Sequence, residues 1–539
     1  MPPPRTRAVT ALSAAALMAI VGLGVSACTT SPAATGLASK AAWSPTAGGS
    51  GNPGSDAVSS ITKERVAAAV SALPAYVKTV MDASGVPGLS VAVVYQDETV
   101  FAEGYGVRSL TTGEPVDRDT VFQLASVSKS VGATVIAREV GKGTVAWDTP
   151  VVTNLPGFAL ADPWVTQHVT IADLYTHRSG LYEHAGDELE DLGYDRADVL
   201  KRLRLTPLGA FRAEENYTNF GLTAAAESVA KAAGLDWAAL SQRNLYQPLG
   251  MDSTRSRFDD FTASRNHAVG HVPVNGTWQV TSLQRQPDAQ SPAGGVSSSA
   301  KDMAEWLKLV LAGGSFGGER IVAEDALTPA ITAQFVSKPA HSADGRAGLT
   351  GYGFNVGTTP GGLPSISHSG AFALGTGTTF TMLPGQGLGI VVLTNGSPVG
   401  AAEAIAAQFI DLAQFGEPRQ EWWKLANAML APLMAPVGEL AGKPAPNDPT
   451  PAEPLAAYAG VYDNKYFGAA KVTVAGDHLE LTVGPGAVVW PLSHWDGGVF
   501  TYRPYHENAP PGSIGKATFQ GTSLVLELLD THGLGTFTR

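Results

Sequence analysis

The chain has 539 residues, with 36 basic against 48 acidic side chains and therefore a formal net charge of −12. Its hydrophobic fraction of 44% is enough to bury a core and excludes a wholly disordered chain, while the negative balance argues against a nucleic-acid-binding protein, which needs a basic face. The single cysteine, Cys28, excludes a disulfide framework and a zinc site built from cysteines. Length and composition therefore predict an acidic protein of several domains.

The first 28 residues have the pattern of a bacterial targeting segment. Arg5 and Arg7 precede a run over residues 8–27 that carries no charge. The run ends in Val-Ser-Ala immediately before Cys28, and small residues before a cysteine resemble the lipobox of bacterial lipoproteins. The resemblance implies that residues 1–28 are a lipoprotein signal peptide, that Cys28 carries the lipid, and that the protein is anchored on the extracytoplasmic face of the cell membrane. An ordinary cleaved signal, with secretion of the protein, is the alternative.

Residues 29–60 are predicted to be a flexible tether, because 26 of these 32 positions are Ala, Gly, Ser, Thr or Pro. From residue 61 the apolar spacing changes: it predicts an amphipathic helix over 62–83, followed by two β-rich runs, 88–94 and 99–105, that form a hairpin. Further helices are predicted over 125–140, 171–176, 219–234, 237–246, 298–312 and near 400–415, and strands over 349–356, 365–368, 376–382 and 389–394.

Within residues 61–415 a hairpin comes first, helices follow, and strands come last. This order predicts one antiparallel sheet to which both ends of the segment contribute strands, with a helical part inserted between them. The fold class is therefore α+β, and residues 61–415 form one domain. Residues 416–455 are predicted to contain a short helix, in which Trp422 and Trp423 serve packing, and a proline-rich linker. Alternating apolar residues over 456–539 predict a separate small antiparallel β domain, either a barrel or a sandwich.

The sharpest chemical feature is Ser-Val-Ser-Lys over residues 126–129, at the start of a predicted helix. Positions i and i+3 of a helix share a face, so Ser126 and Lys129 can approach within hydrogen-bonding distance. Burial helps a lysine to lose its proton, and a serine beside a neutral lysine is an activated nucleophile. Alone, this four-residue pattern is weak, and a surface helix that begins with a serine cap explains it better.

Two later segments supply groups that such a nucleophile needs. Tyr217 and Asn219 lie where a loop enters a predicted helix; the phenol can exchange protons, and the amide can both donate and accept hydrogen bonds. The sequence His-Ser-Gly-Ala at 368–371 ends one β-rich run and precedes another. A strand edge there would leave backbone N–H groups free to bind a carbonyl or an oxyanion.

In this order the motifs resemble those of the serine hydrolases related to class C β-lactamases and D-alanyl-D-alanine carboxypeptidases. The resemblance covers residues 62–415 and includes the landmarks Thr-His-Arg-Ser-Gly-Leu at 176–181 and Pro-Leu-Gly-Met at 248–251. It implies a β-lactamase/transpeptidase-like fold, with an antiparallel sheet flanked by helices, and a covalent acyl-enzyme. It also implies the roles of the site residues: Ser126 is the nucleophile, Lys129 its base partner and Tyr217 the acid/base phenol; Asn219, His368, Gly370 and Ala371 bind substrate, and the backbone N–H groups of Ser126 and Ala371 form the oxyanion hole.

One position departs from the pattern of many β-lactamases, which have Lys-Thr-Gly where this chain has His-Ser-Gly beginning at His368. Histidine is mostly neutral near pH 7 and attracts a carboxylate less than lysine does. The sequence therefore predicts a serine hydrolase acting on an ester or amide, of the esterase or D-stereospecific peptidase type. A true β-lactamase or D,D-carboxypeptidase is the alternative among enzymes, and a non-catalytic envelope binding protein is the alternative from another class.

The β domain at 456–539 resembles the lipocalin-like domain appended to some relatives. No cofactor is predicted, and no metal either, because His267 and His271 flank Gly270 and lack an acidic ligand at metal spacing. His177 is interpreted as a packing residue. The expected partners are a small-molecule ester, peptide or β-lactam-like substrate and, through the lipid, the membrane, but not nucleic acid. The sequence leaves the oligomeric state open.

Overall fold

A computed structural model of the protein describes residues 61–539. The predicted signal peptide, the lipidation site at Cys28 and the tether lie outside the described residues and stay predictions. The described chain forms a sheet with helices on both faces, followed by a β-barrel that begins at Gly460. Within residues 61–539, none of the helices combines the length and the apolar character that crossing a membrane requires.

The described chain begins with the helix and the hairpin that the sequence predicts. The helix is Lys63–Ser84, and its apolar side chains at helical spacing are buried. The hairpin pairs Gly88–Tyr95 with Glu98–Gly106 in antiparallel register. Its two turn residues, Gln96 and Asp97, both have positive φ, of 51° and 66°, as a two-residue hairpin of type I′ requires.

The hairpin and the last strands of the domain build one antiparallel sheet of eight strands. Leu388–Thr394 pairs with Gly88–Tyr95, so the two ends of the segment complete the sheet as predicted. Lys63–Ser84 and the helix Ala401–Phe415 cover one face, while Ala300–Leu311 and the helical part cover the other. The strands lie in the spatial order Glu98–Gly106, Gly88–Tyr95, Leu388–Thr394, Thr376–Leu383, Pro364–Phe372, Asn355–Thr358, Gly348–Thr350 and Phe335–Lys338.

The prediction of a single strand over 349–356 is wrong. This stretch forms two short strands, Gly348–Thr350 and Asn355–Thr358, which pair with each other. Between them Gly353 adopts φ of 75°, a left-handed conformation that does not occur inside a regular strand, so the chain reverses there. The apolar residues that suggested one strand belong partly to this turn.

The predicted strand 365–368 is too short. The strand runs from Pro364 to Phe372, because its residues pair with Thr376–Leu383 as far as Phe372, and this pairing outweighs the weak β-propensity of the serine and glycine residues. On the other edge, Asn355–Thr358 pairs only with the first four residues of this strand. The sequence at 368–371 therefore lies inside a strand, at a part whose outer edge has no neighbouring strand among residues 61–539.

The helical part follows the predicted order, with differences at helix ends. The predicted helix 125–140 starts with a 3₁₀ turn, Ala125–Val127, and becomes α-helical over Ser128–Gly141. The predicted helix 237–246 begins as Trp237–Ser241 and continues as a π-helical turn. The other α-helices before the sheet is completed are Pro163–His168, Ile171–Tyr175, Asp187–Asp191, Arg196–Arg202, Asn219–Ala232, Gln247–Leu249, Phe258–Ala263, Ser291–Gly294 and Glu324–Ile331.

The same region contains three small two-stranded sheets. They pair Phe122–Gln123 with Ser297–Ser298, His271–Val274 with Thr277–Val280, and Ser315–Phe316 with Glu319–Arg320.

The stretch after the sheet contains the predicted short helix, Trp422–Leu430, and a 3₁₀ turn. Trp422 is buried, and its indole N–H donates a 2.6 Å hydrogen bond to the carboxylate of Asp411. Trp423 packs, partly buried, against the same apolar cluster. Both tryptophans therefore serve packing, in agreement with the prediction.

The C-terminal part is a closed barrel of eight antiparallel strands, which decides between the predicted barrel and sandwich. Its interior is filled by aromatic side chains that contact one another edge to face, among them Tyr462, Phe500 and Phe519. Its strands are Gly460–Asn464, Gly468–Ala475, His478–Val483, Val488–Asp496, Val499–Tyr502, Gly515–Gln520, Ser523–Leu526 and Thr536–Thr538.

Candidate active site

Ser126 lies in the 3₁₀ turn that leads into the helix Ser128–Gly141. The residue before it, Ala125, has φ of 47°, a left-handed conformation that non-glycine residues rarely adopt. Backbone strain of this kind persists only where surrounding contacts fix it, and it is common at functional sites. The turn leaves Ser126 partly exposed while Lys129, three positions later, is buried. The predicted nucleophile is therefore accessible and its predicted base partner is not.

The Lys129 amine contacts three oxygen atoms. Its Nζ lies 3.0 Å from Ser126 Oγ, 2.7 Å from Asn219 Oδ1 and 3.0 Å from the backbone carbonyl oxygen of Ala293. Burial lowers the pKa of Lys129 to about 7, although the carboxylate of Asp187 acts in the opposite direction. A substantial fraction of Lys129 is therefore neutral at neutral pH and able to accept a proton.

The three contacts also fix the direction of the lone pair. A neutral amine has two N–H bonds, one lone pair and its bond to Cε, arranged as a tetrahedron. Two of the neighbours of Lys129, the Asn219 and Ala293 carbonyl oxygens, can only accept hydrogen bonds, so they take the two N–H bonds. The lone pair then points at Ser126 Oγ, which is the direction from which a base removes the hydroxyl proton.

Asn219 is the first residue of the helix Asn219–Ala232, and both ends of its amide are occupied by side chains. Its Oδ1 accepts from Lys129, and its Nδ2 donates a 2.8 Å hydrogen bond to Asp187 Oδ2. Because a carboxylate can only accept, Asp187 holds the amide with its oxygen toward the lysine. The resemblance implies a substrate-binding role for Asn219; the structure places this residue as the bridge between Lys129 and Asp187.

Asp187 is a site residue that the sequence reasoning missed. It is buried, and its Oδ2 is also 2.8 Å from His184 Nδ1, while its Oδ1 has no hydrogen-bond partner in the described part of the chain. It stands in an acidic stretch, and no local signal distinguishes it from its acidic neighbours Glu188 and Glu190. The charge of Lys129 or of Asp187 also affects the pKa of other titratable groups nearby. These groups are His177, His184, Glu188, Glu190, Tyr217, His368 and Tyr466.

Replacing Asp187 by Asn is expected to shift the acidic limb of the kcat/KM profile to lower pH by about half a unit or more. The negative charge of Asp187 stabilises the Lys129 ammonium, so its removal lowers the pKa of Lys129 further and leaves the base neutral at a more acidic pH. The measurement is kcat/KM for a neutral ester between pH 5 and 9. Asp302→Asn, which removes another buried carboxylate that accepts from Thr254 and the Ser253 N–H, serves as control and should keep the wild-type limb. An unshifted limb in Asp187→Asn contradicts the electrostatic coupling.

Tyr217 completes the contacts of Ser126. Its hydroxyl donates a 2.9 Å hydrogen bond to Ser126 Oγ, and its ring lies 4.6 Å from Lys129 Nζ. Burial raises the pKa of Tyr217, and the carboxyl groups of Asp187 and Glu215 raise it further, although the hydrogen bond to Ser126 acts in the opposite direction. The phenol is therefore protonated at neutral pH and acts on Ser126 as a hydrogen-bond donor.

His177 packs against the tyrosine, in agreement with its interpretation as a packing residue. The His177 and Tyr217 rings have centroids 4.5 Å apart, and His177 Nδ1 accepts a hydrogen bond from the backbone N–H of Thr218. Burial lowers the pKa of His177 well below its usual value, so the ring is uncharged. It supports the loop that carries Tyr217.

The strand Pro364–Phe372 brings its open edge against the turn that carries Ser126. At Gly370 an added Cβ would lie 2.1 Å from the Leu124 carbonyl oxygen and 3.0 Å from the Ser126 nitrogen, so only glycine permits this approach. The next residue, Ala371, is partly exposed at the same edge. The structure therefore brings together the two segments whose N–H groups the resemblance assigns to the oxyanion hole.

His368 is buried in this strand, two residues before Gly370. Its Nδ1 lies 2.7 Å from the backbone carbonyl oxygen of Ser369, which can only accept, so Nδ1 carries the proton and Nε2 is left as an acceptor. Burial lowers the pKa of His368 to about 3, with a further contribution from Lys129. The neutral histidine that the sequence predicts is the form present near pH 7.

The histidines considered as metal ligands have other partners. His271 Nε2 accepts from the Leu110 N–H, and His267 Nδ1 lies 2.5 Å from the Ser264 carbonyl oxygen. Among residues 61–539, no group of three or more His, Cys, Asp or Glu side chains is arranged to hold a metal ion.

The family profile for β-lactamases matches residues 73–415, more than half of the chain. The chain therefore belongs to the β-lactamase family, and it is a serine hydrolase. A second profile, described as a domain of unknown function (DUF3471), matches residues 444–523, which include most of the barrel.

Similar proteins include enzymes of several kinds. The chain is 26% identical over 420 residues to the unguisins hydrolase ungD of Aspergillus violaceofuscus, and the match covers 72% of this chain and 74% of that protein. It is 33% identical over 182 residues to the esterase EstB of Burkholderia gladioli, covering 30% of this chain and 45% of that protein. Among solved structures, the octameric penicillin-binding protein homologue from Pyrococcus abyssi has a TM-score of 0.58 at 19% identity, covering 87% of this chain and 100% of that one, which shows a shared fold.

Proposed function

We propose that the protein hydrolyses an ester or amide through a covalent acyl-enzyme on Ser126. Neutral Lys129 takes the hydroxyl proton as Ser126 Oγ bonds to the substrate carbonyl carbon, which gives a tetrahedral oxyanion. The carbon–oxygen or carbon–nitrogen bond then breaks, and the leaving group receives a proton through Tyr217, which is restored by the proton held on Lys129. Water attacks the acyl group by the same route, and the acid leaves.

The observation that carries this proposal is the contact of Ser126 Oγ with both Lys129 Nζ and Tyr217 OH, at 3.0 and 2.9 Å. One partner is an amine that burial makes partly neutral near pH 7, and the other is a phenol that burial keeps protonated. A hydroxyl between an acceptor and a donor is arranged for proton removal on one side and proton delivery on the other. A binding protein without turnover would need neither.

The neutral state of His368 supports an ester or amide substrate of the esterase or D-stereospecific peptidase type. A buried, uncharged imidazole offers hydrogen bonds but no cation to pair with a substrate carboxylate. Two of the similar proteins are named as a hydrolase and an esterase, which agrees with this substrate class. A true β-lactamase or D,D-carboxypeptidase is the alternative that the following tests separate.

The direct test is labelling by a fluorophosphonate probe, followed by intact-mass analysis of the purified protein. We expect one adduct on the wild type and none on Ser126→Ala. Ser130→Ala is the matched control: Ser130 lies on the same helix, is buried, and donates to the Gly353 carbonyl oxygen. Its labelling should match the wild type. An adduct that persists in Ser126→Ala, or a wild type that no acylating probe labels, would contradict the proposal.

His368→Lys is expected to shift the substrate preference away from esters and toward β-lactams. Lysine restores the cation that many β-lactamases carry at this position, and a desolvated ion pair with a carboxylate can contribute more than the ~0–1 kcal/mol of an exposed pair. The measurement is kcat/KM for a short-chain p-nitrophenyl ester and for nitrocefin, on wild type and variant. A wild type that hydrolyses nitrocefin far faster than any ester would make the β-lactamase alternative correct.

We further propose that the protein acts on the extracytoplasmic face of the bacterial membrane, held there by lipid on Cys28. The support is the sequence of residues 1–28, in which the only cysteine follows directly on the uncharged run. Cys28→Ala should move the protein from the detergent phase to the aqueous phase or to an uncleaved precursor, measured by phase partitioning and metabolic labelling with a fatty acid. Fatty-acid incorporation that persists in the variant would show that Cys28 is not the site.

A further inference from the structure

Several loops of the C-terminal barrel contact the catalytic part of the chain, and one of them follows the strand Val499–Tyr502. The loop lies between the strands Val499–Tyr502 and Gly515–Gln520. Three consecutive residues of it contact two different segments of the catalytic part. His506 Nδ1 lies 2.8 Å from Asp191 Oδ2, and the Asn508 side-chain amide donates a 2.7 Å hydrogen bond to the same oxygen.

Glu507, which stands between His506 and Asn508 in sequence, contacts the second segment. Its Oε1 accepts a 2.6 Å hydrogen bond from the Ala373 N–H, and its Oε2 is 3.4 Å from the Leu374 nitrogen. Alternate residues of the loop therefore contact opposite sides of it. The loop joins two segments that are far apart in the catalytic sequence.

Both contacted segments carry residues of the site. Asp191 is the last residue of the helix that begins with Asp187, which holds the Asn219 amide toward Lys129. Ala373 directly follows the strand Pro364–Phe372 and stands two positions after Ala371, whose N–H the resemblance assigns to the oxyanion hole. The loop thus connects the segment that orients the base with the segment that would bind the oxyanion.

The strand is held near Ser126 on one side of Ala371, and Glu507 contacts the chain on the other side, where Ser397 Oγ also donates a 2.7 Å hydrogen bond to the Ala373 carbonyl oxygen. At Gly370 it lies against the turn of Ser126, and the Thr378 hydroxyl of the neighbouring strand donates a 2.7 Å hydrogen bond to the Leu124 carbonyl oxygen. Beyond Phe372 the backbone N–H groups leave the ladder, and Glu507 receives them. Ala371 lies between these two places of contact.

The surroundings of Glu507 are buried and charged. Burial raises the pKa of Glu507 to about 8, while Arg285 and the Ala373 N–H lower it. Arg285 is itself buried; it donates to Glu190, and its guanidinium carbon lies 5.2 Å from the ring centroid of Phe372. Buried polar groups of this kind are costly to leave without partners, so the contacts hold the loop in one place.

We propose that Glu507 is a positioning residue of the active site, and that the barrel in this way takes part in catalysis. Its carboxyl group fixes the Ala373 and Leu374 N–H groups and so sets the distance of the Ala371 N–H from that of Ser126. The inference rests on the proposed acyl-enzyme function, because an oxyanion forms only in that reaction. Oxyanion stabilisation acts on the transition state, so a displaced donor lowers kcat and leaves KM largely unchanged.

The test uses two variants of Glu507 in the full-length protein and a matched control. Glu507→Ala is expected to lower kcat for a p-nitrophenyl ester by about 10- to 100-fold with KM changed less than about threefold. Affinity for an arylboronic acid, which forms a tetrahedral anion on the nucleophile, should fall by a similar factor. Glu507→Gln should recover most of the loss, because its amide oxygen still accepts from the Ala373 N–H.

Glu527→Ala is the control. The Glu527 carboxylate also accepts from two backbone N–H groups, those of Glu439 and Lys516, within the C-terminal part. Its loss should lower the melting temperature comparably and leave kcat unchanged. Wild-type kcat and boronate affinity in Glu507→Ala would overturn the inference, as would an equal loss of kcat in Glu527→Ala, which would mean general destabilisation. A wild type that fluorophosphonate does not label would instead overturn the proposed function, so the two failures are distinct.

Discussion

Lys129→Arg is expected to lower kcat/KM for a p-nitrophenyl ester by about 10²-fold or more, although the positive charge is retained. Arginine does not give up its proton at any working pH, so the variant has no base for the Ser126 hydroxyl. In the wild type the pKa of Lys129 is lowered to about 7 by burial. The neutral fraction therefore rises with pH through about 7, and wild-type kcat/KM should rise with it and fall about tenfold per unit below this region.

A control variant separates the loss of the base from the effect of a larger side chain. Lys142→Arg changes a lysine at the end of the same helix. Its Nζ, like that of Lys129, donates a hydrogen bond to the side-chain carbonyl oxygen of an asparagine, Asn244 Oδ1 at 2.8 Å. It should retain wild-type kcat/KM and pH profile. Because the guanidinium of arginine is larger than the ammonium that it replaces in this buried site, Lys129→Met is measured in parallel, together with the melting temperature of each variant. Methionine has similar length and no charge. A folded Lys129→Met or Lys129→Arg enzyme with near-normal turnover would exclude Lys129 as the base.

The residues at the centre of the site could be found in the sequence because each stands in a short motif. Ser126 and Lys129 are one helical turn apart, so their contact follows from local geometry once the helix is predicted. Tyr217 is 91 positions from Ser126, and only the resemblance to known hydrolases connected the two. The structure brings Lys129 Nζ and Tyr217 OH within hydrogen-bonding distance of Ser126 Oγ.

The residues around this centre could not be found in the same way. Asp187 is one acidic residue among several, and its contact with Asn219 depends on how a five-residue helix lies on the longer one. The contact of Glu507 with Ala373 joins positions 134 apart in two different parts of the fold. Neither contact leaves a periodic or spacing signal, because it is set by tertiary packing rather than by neighbours along the chain.

The wrong strand bounds have the same origin. Around Gly353 the composition is that of a strand, yet the backbone needs a positive φ and the chain reverses. Around Gly370 the composition is poor for a strand, yet pairing with Thr376–Leu383 continues the ladder and brings the glycine against the turn of Ser126. Local propensity gave the order of elements; the partner strands determined where each one ends.

Tyr217→Phe is expected to affect poor leaving groups far more than good ones. The Tyr217 phenol is protonated because burial raises its pKa, and its hydroxyl donates to Ser126 Oγ, so it is placed to hand a proton to the departing group. The amine of an amide or the alkoxide of an alkyl ester leaves with difficulty unless it is protonated, and for such substrates we expect kcat to fall by about 10³-fold. p-Nitrophenolate leaves without a proton, so for its ester the loss should be about tenfold.

The measurement is kcat for a p-nitrophenyl ester and for an alkyl ester and an anilide of the same acid, on the wild type and on Tyr217→Phe. Tyr246→Phe is the matched control, because Tyr246 is also a buried phenol whose hydroxyl lies 2.8 Å from a serine, Ser256 Oγ, and that serine has no place in the site. It should keep wild-type kcat for all three substrates. An equal loss of kcat for all three substrates in Tyr217→Phe would mean that the phenol does not act on the leaving group. It would then act on the nucleophile or the oxyanion, which are common to the three reactions. A loss that grows with the basicity of the leaving group identifies Tyr217 as its proton donor, since only that step depends on how much the departing atom needs a proton.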